Sequence, residues 1–330
     1  RFEKFSCAVS EISRYWHKIA SEELSKYGLK SSHASYLTTV YRFDGDITSP
    51  KICELCGRDK SDVSRMMSIL EKKGLVKKES VHQNQYAGYW KLTDEGRKAT
   101  WVVKIETTKK PEAQLLGSAI GMKVMEDVPY VVGLDKWIGN ELNDDACAYL
   151  KDFGAATASN GAVGLYHIEN LTPEAVEQGT ELIAENAQEY IIDDAELKRV
   201  QDNYPVIWKN PNASPKLCFV GCPHLSLKQL KNWTDNIETE LKKNGIKKVT
   251  IPTVLTASPG VLKAFEQTEY AARLKKTGVI TSYICPLMYM NNPLCGKMPV
   301  ITSSNKLRTY TTSRYYTDDE ILVQITKGGK

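Results

Sequence analysis

Residues 60–76 read KSDVSRMMSILEKKGLV, and this stretch decides the fold of the first third of the chain. Gly74 directly follows its apolar pattern and predicts the end of a helix. The apolar residues follow the i, i+3, i+4, i+7 spacing of a single helix face. They are Val63, Met66, Met67 and Leu70.

The segments around this helix predict a known order of elements. Helices are predicted over about 2–26, about 31–43 and 49–57, and two strands at 75–76 and 89–92. A helix, a three-residue turn, a second helix and a two-stranded ribbon form the winged helix-turn-helix arrangement. The sequence therefore predicts an α+β winged helix-turn-helix module in this part of the chain.

The second helix of the pair is expected to read DNA. Its short hydroxyl side chains and its arginine suit close approach to base edges and phosphates, and lysines near its end add a basic rim. An ordinary solvated helix face is the alternative. The expected DNA-binding residues are Lys60, Ser61, Ser64, Arg65, Ser68, Lys72, Lys73, Tyr86 and Lys91.

The charge of the chain is concentrated in the same region. Residues 1–100 hold 18 Lys and Arg against 13 Asp and Glu, a net charge of +5. The other 230 residues hold 44 − 18 = 26 basic and 40 − 13 = 27 acidic groups, a net charge of −1. A basic module on a near-neutral body is typical of proteins that bind a polyanion.

Residues 5–100 resemble the MarR family of transcription regulators. The resemblance is carried by Ser61–Arg65, by Leu70–Val76 and by Leu92–Gly96. It implies a homodimer formed through terminal helices, with the recognition helix in the major groove of double-stranded DNA. Family members often carry Asp-x-Arg at the tip of the wing, whereas Asn84-Gln85-Tyr86 stands here. The difference implies weaker contact with the minor groove.

A different pattern follows this module, which is predicted to end at residue 105. Residues 106–114 are predicted to be a linker, and residues 115–330 an α/β domain with a mostly parallel sheet, because consecutive β-α-β units form such sheets. Strands are predicted at 217–220, 248–255, 279–284 and 298–301, with helices over 226–243 and 259–276 between them.

Polar and reactive side chains follow several of these strands. The carboxyl ends of parallel strands lie at one edge of a sheet, where ligands bind, so the sequence predicts a pocket for a small anion. Ordinary turn chemistry is the alternative, since Gly, Ser, Pro and Asn dominate turns. The expected ligand-binding residues are His167, Cys222, His224, Ser226, Ser258, Cys285, Ser303, Ser304 and Lys306.

Residues 115–325 also resemble aconitase X, matching the latter part of its large subunit. The motifs lie at 154–167, 171–175, 221–226, 285–286 and 302–306. The resemblance implies a dehydratase of hydroxyproline-type or phosphorylated hydroxy-acid substrates, with an iron or iron–sulfur centre held by cysteines.

Two cysteines bear on that implied centre. Cys285 matches one ligand position of the family, and Cys222 ends another strand and could meet it. The remaining ligand motifs belong to a preceding half of the family's subunit, and a winged helix stands in its place here. A metal site at these cysteines is therefore one hypothesis, and inert buried thiols are the alternative.

These features favour a DNA-binding transcription regulator with a degenerate aconitase X-like domain that senses a small hydroxy-acid or hydroxyproline-like ligand. The rival hypothesis is an aconitase X-type hydro-lyase with an appended winged-helix module. A third hypothesis is a module that senses metal or redox state through Cys222 and Cys285.

Composition adds a location and excludes a membrane partner. No run approaches the roughly 20 apolar residues that cross a bilayer, and the first residues lack the apolar core of a signal peptide. The eight cysteines show no disulfide framework, which favours a reducing, cytoplasmic compartment. Cys53 and Cys56 lie on a predicted helix without a second pair and are expected to be inert.

Overall fold

The structure, a computed structural model, describes residues 31–43, 47–80, 88–93, 95–290, 292–293 and 295–327. The chain divides into two compact units, Arg1–Lys98 and Ala99–Lys330. The predicted helix over 2–26 and the wing-tip residue Tyr86 lie outside the described residues.

The first unit has the predicted winged helix-turn-helix order. Three helices surround a small antiparallel sheet with the strand order β1-β3-β2. The elements are α1 (Ser31–Arg42), β1 (Ile47–Thr48), α2 (Ser49–Cys56), α3 (Lys60–Lys72), β2 (Val76–Ser80) and β3 (Gly88–Leu92).

Local sequence explains the turn between α2 and α3. Gly57 ends α2 with a φ of 61°, a left-handed conformation that glycine adopts without strain. The Asp59 side chain then caps α3 by accepting hydrogen bonds from the backbone N–H groups of Ser61 and Asp62, both at 2.9 Å. The predicted three-residue turn is confirmed.

The second unit contains two parallel sheets. The four-stranded sheet has the order β6-β5-β4-β7, and the five-stranded sheet has the order β10-β9-β8-β11-β12. The strands of the first are β4 (Ala99–Ile105), β5 (Pro129–Val132), β6 (His167–Ile168) and β7 (Ile183–Ile192). The strands of the second are β8 (Leu217–Leu225), β9 (Thr253–Ala257), β10 (Ile280–Ser282), β11 (Val300–Thr302) and β12 (Arg314–Tyr315). The predicted α/β domain with a parallel sheet is confirmed.

Helices connect these strands. They are α4 (Ala113–Val124), α5 (Asp135–Ile138), α6 (Asp144–Gly161), α7 (Pro173–Gln178), α8 (Asp194–Asp202), α9 (Leu227–Lys243), α10 (Pro259–Glu266), α11 (Glu269–Lys276), α12 (Pro286–Met290), α13 (Asn305–Tyr310) and α14 (Asp318–Thr326). None of the described helices is long and apolar enough to span a bilayer.

The boundary between the units differs from the predicted one. Strand β4 belongs to the second unit, where it lies in the four-stranded sheet between β5 and β7. Every second residue of β4 is buried, from Ala99 to Ile105. The predicted module 1–105 is therefore too long, and the predicted linker 106–114 is a connection inside the second unit that runs from β4 into α4.

Helices α4 and α6 pack with their backbones in contact. A Cβ atom added to Gly161 would lie 1.9 Å from the carbonyl oxygen of Gly121. A Cβ atom on Gly117 would lie 2.4 Å from the carbonyl oxygen of Phe153. Only glycine fits such an approach, so this pair of helices fixes how α6 lies against the first sheet.

We predict that Gly161→Ala destabilises the second unit. The methyl group must displace backbone, and overpacking of this kind costs about 3 kcal/mol of unfolding free energy. Denaturant unfolding of the full chain measures the loss. Gly260→Ala in α10 is the matched control, because a Cβ atom there meets nothing within 4 Å. Equal stability of the two variants would contradict the packing argument.

Candidate functional site

The exposed face of α3 contains the residues predicted to bind DNA. Lys60, Ser64, Arg65, Ser68 and Lys72 are all exposed. The opposite face of the same helix is buried in the core of the unit through Val63, Met67 and Leu70. The helix therefore presents a hydroxyl-rich, basic surface.

Arg65 is held in place by a chain of hydrogen bonds that sequence reasoning missed. Arg65 Nη2 lies 2.6 Å from Asp62 Oδ1, and the Tyr36 hydroxyl donates to Asp62 Oδ2 at 2.8 Å. The hydrogen bond from Tyr36, followed by that from Arg65, lowers the pKa of Asp62. Tyr36 comes from α1, so 26 residues separate the two partners and no local pattern shows the contact.

The structure also locates three further residues that the sequence predicts to bind DNA. Ser61 Oγ donates to the Asp59 carboxylate at 2.6 Å as part of the helix cap. Lys91 Nζ lies 2.8 Å from Glu79 Oε2 on the neighbouring strand. Lys73 is exposed at the end of α3. All three remain predicted contacts, and Arg58, exposed in the turn before α3, is a basic neighbour that sequence reasoning left out.

The second unit contains a cavity of about 830 Å³. Its lining comes from both halves of the unit: the connection between β4 and α4, helices α6 and α8, the end of β8, helix α9, and the turns before α13 and α14. The cavity thus lies at the carboxyl end of β8, as parallel-sheet ligand sites do. Three predicted ligand residues line it, namely Cys222, Ser303 and Ser304.

Hydrogen bonds from one side chain join the two halves beside the cavity. Gln114 Nε2 donates to the carbonyl oxygen of Cys222 at 3.2 Å, and its Oε1 accepts from the backbone N–H of Asn305 at 3.1 Å. Asn305 Nδ2 donates in return to the Gln114 carbonyl at 2.8 Å. The Ser304 hydroxyl also donates to the Cys222 carbonyl. These buried bonds fix the wall of the cavity.

Three carboxyl groups with raised pKa values face the same cavity. Loss of solvation raises the pKa of Glu112, and the charge of Asp318 adds to the effect. Burial likewise raises the pKa of Asp152. Loss of solvation, together with the charges of Asp152 and Asp319, raises the pKa of Asp318 to about 6. The cavity wall is thus richer in acids than the sequence predicted.

Glu112 also anchors the start of α14. Its Oε2 accepts from the Tyr315 hydroxyl at 2.9 Å, and its Oε1 accepts from the backbone N–H of Asp318 at 2.8 Å. Across the cavity, Gln229 Nε2 donates to Asp152 Oδ2 at 2.7 Å. Sequence reasoning missed these carboxyl groups, because their partners are up to 206 residues away along the chain.

The structure does not bring the other predicted ligand residues to the cavity. His167 is fully buried in β6 of the four-stranded sheet. Ser226 and Ser258 cap α9 and α10 with their hydroxyl groups. His224 contributes its carbonyl oxygen, which accepts from Lys151 Nζ at 2.6 Å. Cys285 and Lys306 are half-buried and lie outside the lining.

The cysteines do not fit an iron or iron–sulfur centre. Burial raises the pKa of the Cys222 thiol, and the nearby Cys285 adds to this rise. In the part of the chain that the structure describes, no three His, Cys, Asp or Glu side chains converge as a metal ion requires. Two thiols are fewer than the four cysteines that usually hold a cluster.

We predict that Asp318 makes stability depend on pH. A carboxyl group whose pKa is raised to about 6 binds its proton more tightly in the folded chain, so its contribution to stability falls as the pH rises from about 4 through 6. Asp318→Asn removes this dependence and should gain stability relative to the natural chain over that range. Thermal unfolding at pH 4, 5, 6 and 7 measures the difference.

Asp144→Asn is the control for this measurement, because it removes an acidic residue from the first turn of another helix, α6. If the two variants showed the same difference from the natural chain at every pH, the account of Asp318 would be wrong.

Both segments match known families. Residues 27–83 match the MarR family, and residues 99–202 match the aconitase X second domain. The phosphomevalonate dehydratase large subunit of Thermococcus kodakarensis is 29% identical over 224 residues, which are 67% of this chain and 52% of that protein. The same subunit of Methanocaldococcus jannaschii is 28% identical over 241 residues, which are 71% of this chain and 54% of that protein.

A solved structure agrees with these matches. The crystal structure of Thermococcus kodakaraensis aconitase X in its holo form superposes with a TM-score of 0.56 and 25% identity, over 71% of this chain and 58% of that one. The chain spans about half the length of the curated relatives it matches. Both resemblances expected from the sequence are confirmed: residues 27–83 match the MarR family, and the α/β domain that follows is similar to aconitase X.

Proposed function

We propose that this protein is a DNA-binding transcription regulator whose aconitase X-like domain senses a small ligand. The observation that carries the proposal is the exposed face of α3, where Arg65, Ser64 and Ser68 face away from a fully packed core. This face belongs to a segment of the MarR family, whose members generally bind DNA as dimers. A homodimer places two such helices on successive half-sites of a duplex.

The cavity supports a hydroxy-acid ligand. The curated relatives are named for phosphomevalonate, a phosphorylated hydroxy acid. Four lysines line the cavity; Lys198 and Lys228 pair with Asp202 and Asp145, and Lys109 and Lys110 supply positive charge for a phosphate or carboxylate. Asp318, with its pKa of about 6, and the hydroxyl of Ser303 suit hydrogen bonding to the hydroxyl end of such a ligand.

The second candidate function is a hydro-lyase, and the dehydratase activity for which the relatives are named favours it. The pair Cys222 and Cys285 falls short of a metal site, and the chain spans about half of those enzymes. Incubation of the anaerobically purified protein with phosphomevalonate separates the two functions. Sustained formation of a dehydrated product would favour the hydro-lyase over the regulator.

We predict salt-dependent DNA binding through the basic rim of α3. Fluorescence anisotropy with duplexes from the region upstream of the gene, between 50 and 200 mM salt, gives the affinity and its salt slope. Lys72→Ala and Lys73→Ala should each weaken binding and reduce the slope by about 1, because each removes one phosphate contact.

Lys276→Ala is the matched control, since it removes an exposed lysine from the second unit. The control should leave the affinity and the slope unchanged. Absence of binding to any duplex, or binding that ignores salt, would overturn the proposed regulator.

We also predict that phosphomevalonate binds in the cavity. Isothermal titration calorimetry should show that Lys109→Ala and Lys110→Ala weaken phosphomevalonate binding by about tenfold each, the value of one charge-assisted contact. Mevalonate, which lacks the phosphate, should lose little. Lys263→Ala in α10, an exposed lysine outside the cavity, is the control. Equal losses for both ligands would refute the placement of the phosphate.

A further inference from the structure

Asp62 connects the core of the first unit to the surface of α3. Tyr36, which is only 2% exposed, donates its hydroxyl hydrogen bond to one carboxylate oxygen at 2.8 Å. The other carboxylate oxygen lies 2.6 Å from Nη2 of Arg65. The side-chain exposure is 20% for Asp62 and 67% for Arg65. The three groups therefore form a continuous chain of hydrogen bonds from the buried Tyr36 hydroxyl to the exposed Arg65 guanidinium.

This chain of hydrogen bonds restricts the side-chain rotamers of Arg65 before any DNA is present. An arginine on a bare helix surface samples many rotamers and loses that freedom when it binds. Here the carboxylate fixes one end of the guanidinium, and the buried hydroxyl of Tyr36 in turn fixes the carboxylate. Asp62 is fixed at its backbone as well, since its N–H donates to the Asp59 cap at 2.9 Å.

The fixed guanidinium keeps part of its donor set for a ligand. Among the described residues, the protein partner of Arg65 is Asp62, and it takes a hydrogen bond from Nη2 only. The second N–H of Nη2, together with an N–H of Nη1 or of Nε, still forms a planar two-donor fork. Such a fork matches the O6 and N7 acceptors of guanine in the major groove, which is the commonest specific contact of arginine with DNA.

Ser64 and Ser68 flank Arg65 on the exposed face and leave space around it. Both are exposed, and neither side chain is long enough to keep the helix away from base edges. The lysines at positions 72 and 73 lie about two turns further along, where they suit phosphates rather than bases. The exposed face of α3 thus places the side chain that suits a base, Arg65, about two turns away from the lysines that suit phosphates.

We propose that Arg65 reads a guanine in each half-site and that Tyr36, acting through Asp62, is the positioning residue that sets this preference. The proposal rests on the proposed DNA-binding function and deepens it. It assigns base readout to one side chain of α3 and makes a buried tyrosine of α1 responsible for how strongly that readout discriminates.

The test is selection from a random duplex library by the full-length protein and its variants, followed by anisotropy on the selected duplex. The natural chain should enrich a guanine at one position of each half-site. Arg65→Lys keeps the charge but loses the fork, so discrimination against other bases at that position should fall by roughly 5- to 150-fold. Tyr36→Phe should lower it by about threefold to tenfold, with an unchanged salt slope, because the charge remains.

Two further variants keep the result interpretable. Tyr41→Phe removes a hydroxyl group from the same helix without removing a partner of Asp62, and should leave the preference unchanged. The double variant Tyr36→Phe with Arg65→Lys should discriminate no better and no worse than Arg65→Lys alone, since both act through one contact.

The outcomes separate this inference from the proposed function. Sequence-independent, salt-dependent binding by the natural chain, or an unchanged guanine preference in Arg65→Lys, would overturn the inference and leave the regulator standing. A loss of affinity in Tyr36→Phe that is equal on all duplexes and follows its melting temperature would show a structural role only. Failure of the natural chain to bind any duplex would overturn both.

Discussion

The arrangement of the second unit depends on the carboxamide of Gln114. This side chain donates to the Cys222 carbonyl and accepts from the Asn305 backbone, so it satisfies polar groups from two strand ends at once. Buried polar groups without partners are costly, and removal of this side chain would leave the Asn305 N–H unpaired in the interior, although the Cys222 carbonyl would keep the Ser304 hydroxyl. The cavity exists because this junction holds the β4–α4 connection against the end of β8.

The position of that connection follows from the glycines of α4 and α6. Gly117 and Gly121 allow the two helix backbones to touch, which fixes α4, and with it the residues just before it. Glu112 then reaches the first turn of α14, where it accepts a backbone hydrogen bond. The carboxyl-rich wall of the cavity is therefore a consequence of helix packing in the first sheet rather than of the strand-end residues alone.

Sequence patterns predicted the elements with strong periodicity. The spacing of Val63, Met67 and Leu70 placed α3 and its exposed face correctly, because one buried stripe defines a helix surface. Strand β4 was not predicted, and its residues were assigned to the first module. Its alternation of buried residues from Ala99 to Ile105 places it instead in the sheet of the second unit.

The site itself was predictable only in part. Cys222 lies in the last part of β8, and Ser303 and Ser304 follow β11, which is the neighbour of β8 in the sheet, so topology alone brought them together. His167 also follows the strand pattern, yet its strand belongs to the other sheet, which no periodicity reveals. The hydrogen bonds of Glu112 with Asp318 and of Tyr36 with Asp62 join distant parts of the chain, and such long-range contacts cannot be predicted from a single sequence.

In the proposed regulator, a ligand bound in the cavity changes the affinity of the protein for DNA. Thermodynamic linkage requires the effect to be reciprocal, so both affinities must shift by the same factor. The most direct test is a closed cycle: the dissociation constant for the selected duplex with and without saturating phosphomevalonate, and that for phosphomevalonate with and without the duplex. The account predicts equal shifts of about fivefold or more in both arms. Unchanged affinities in both arms, with each ligand bound, would contradict it.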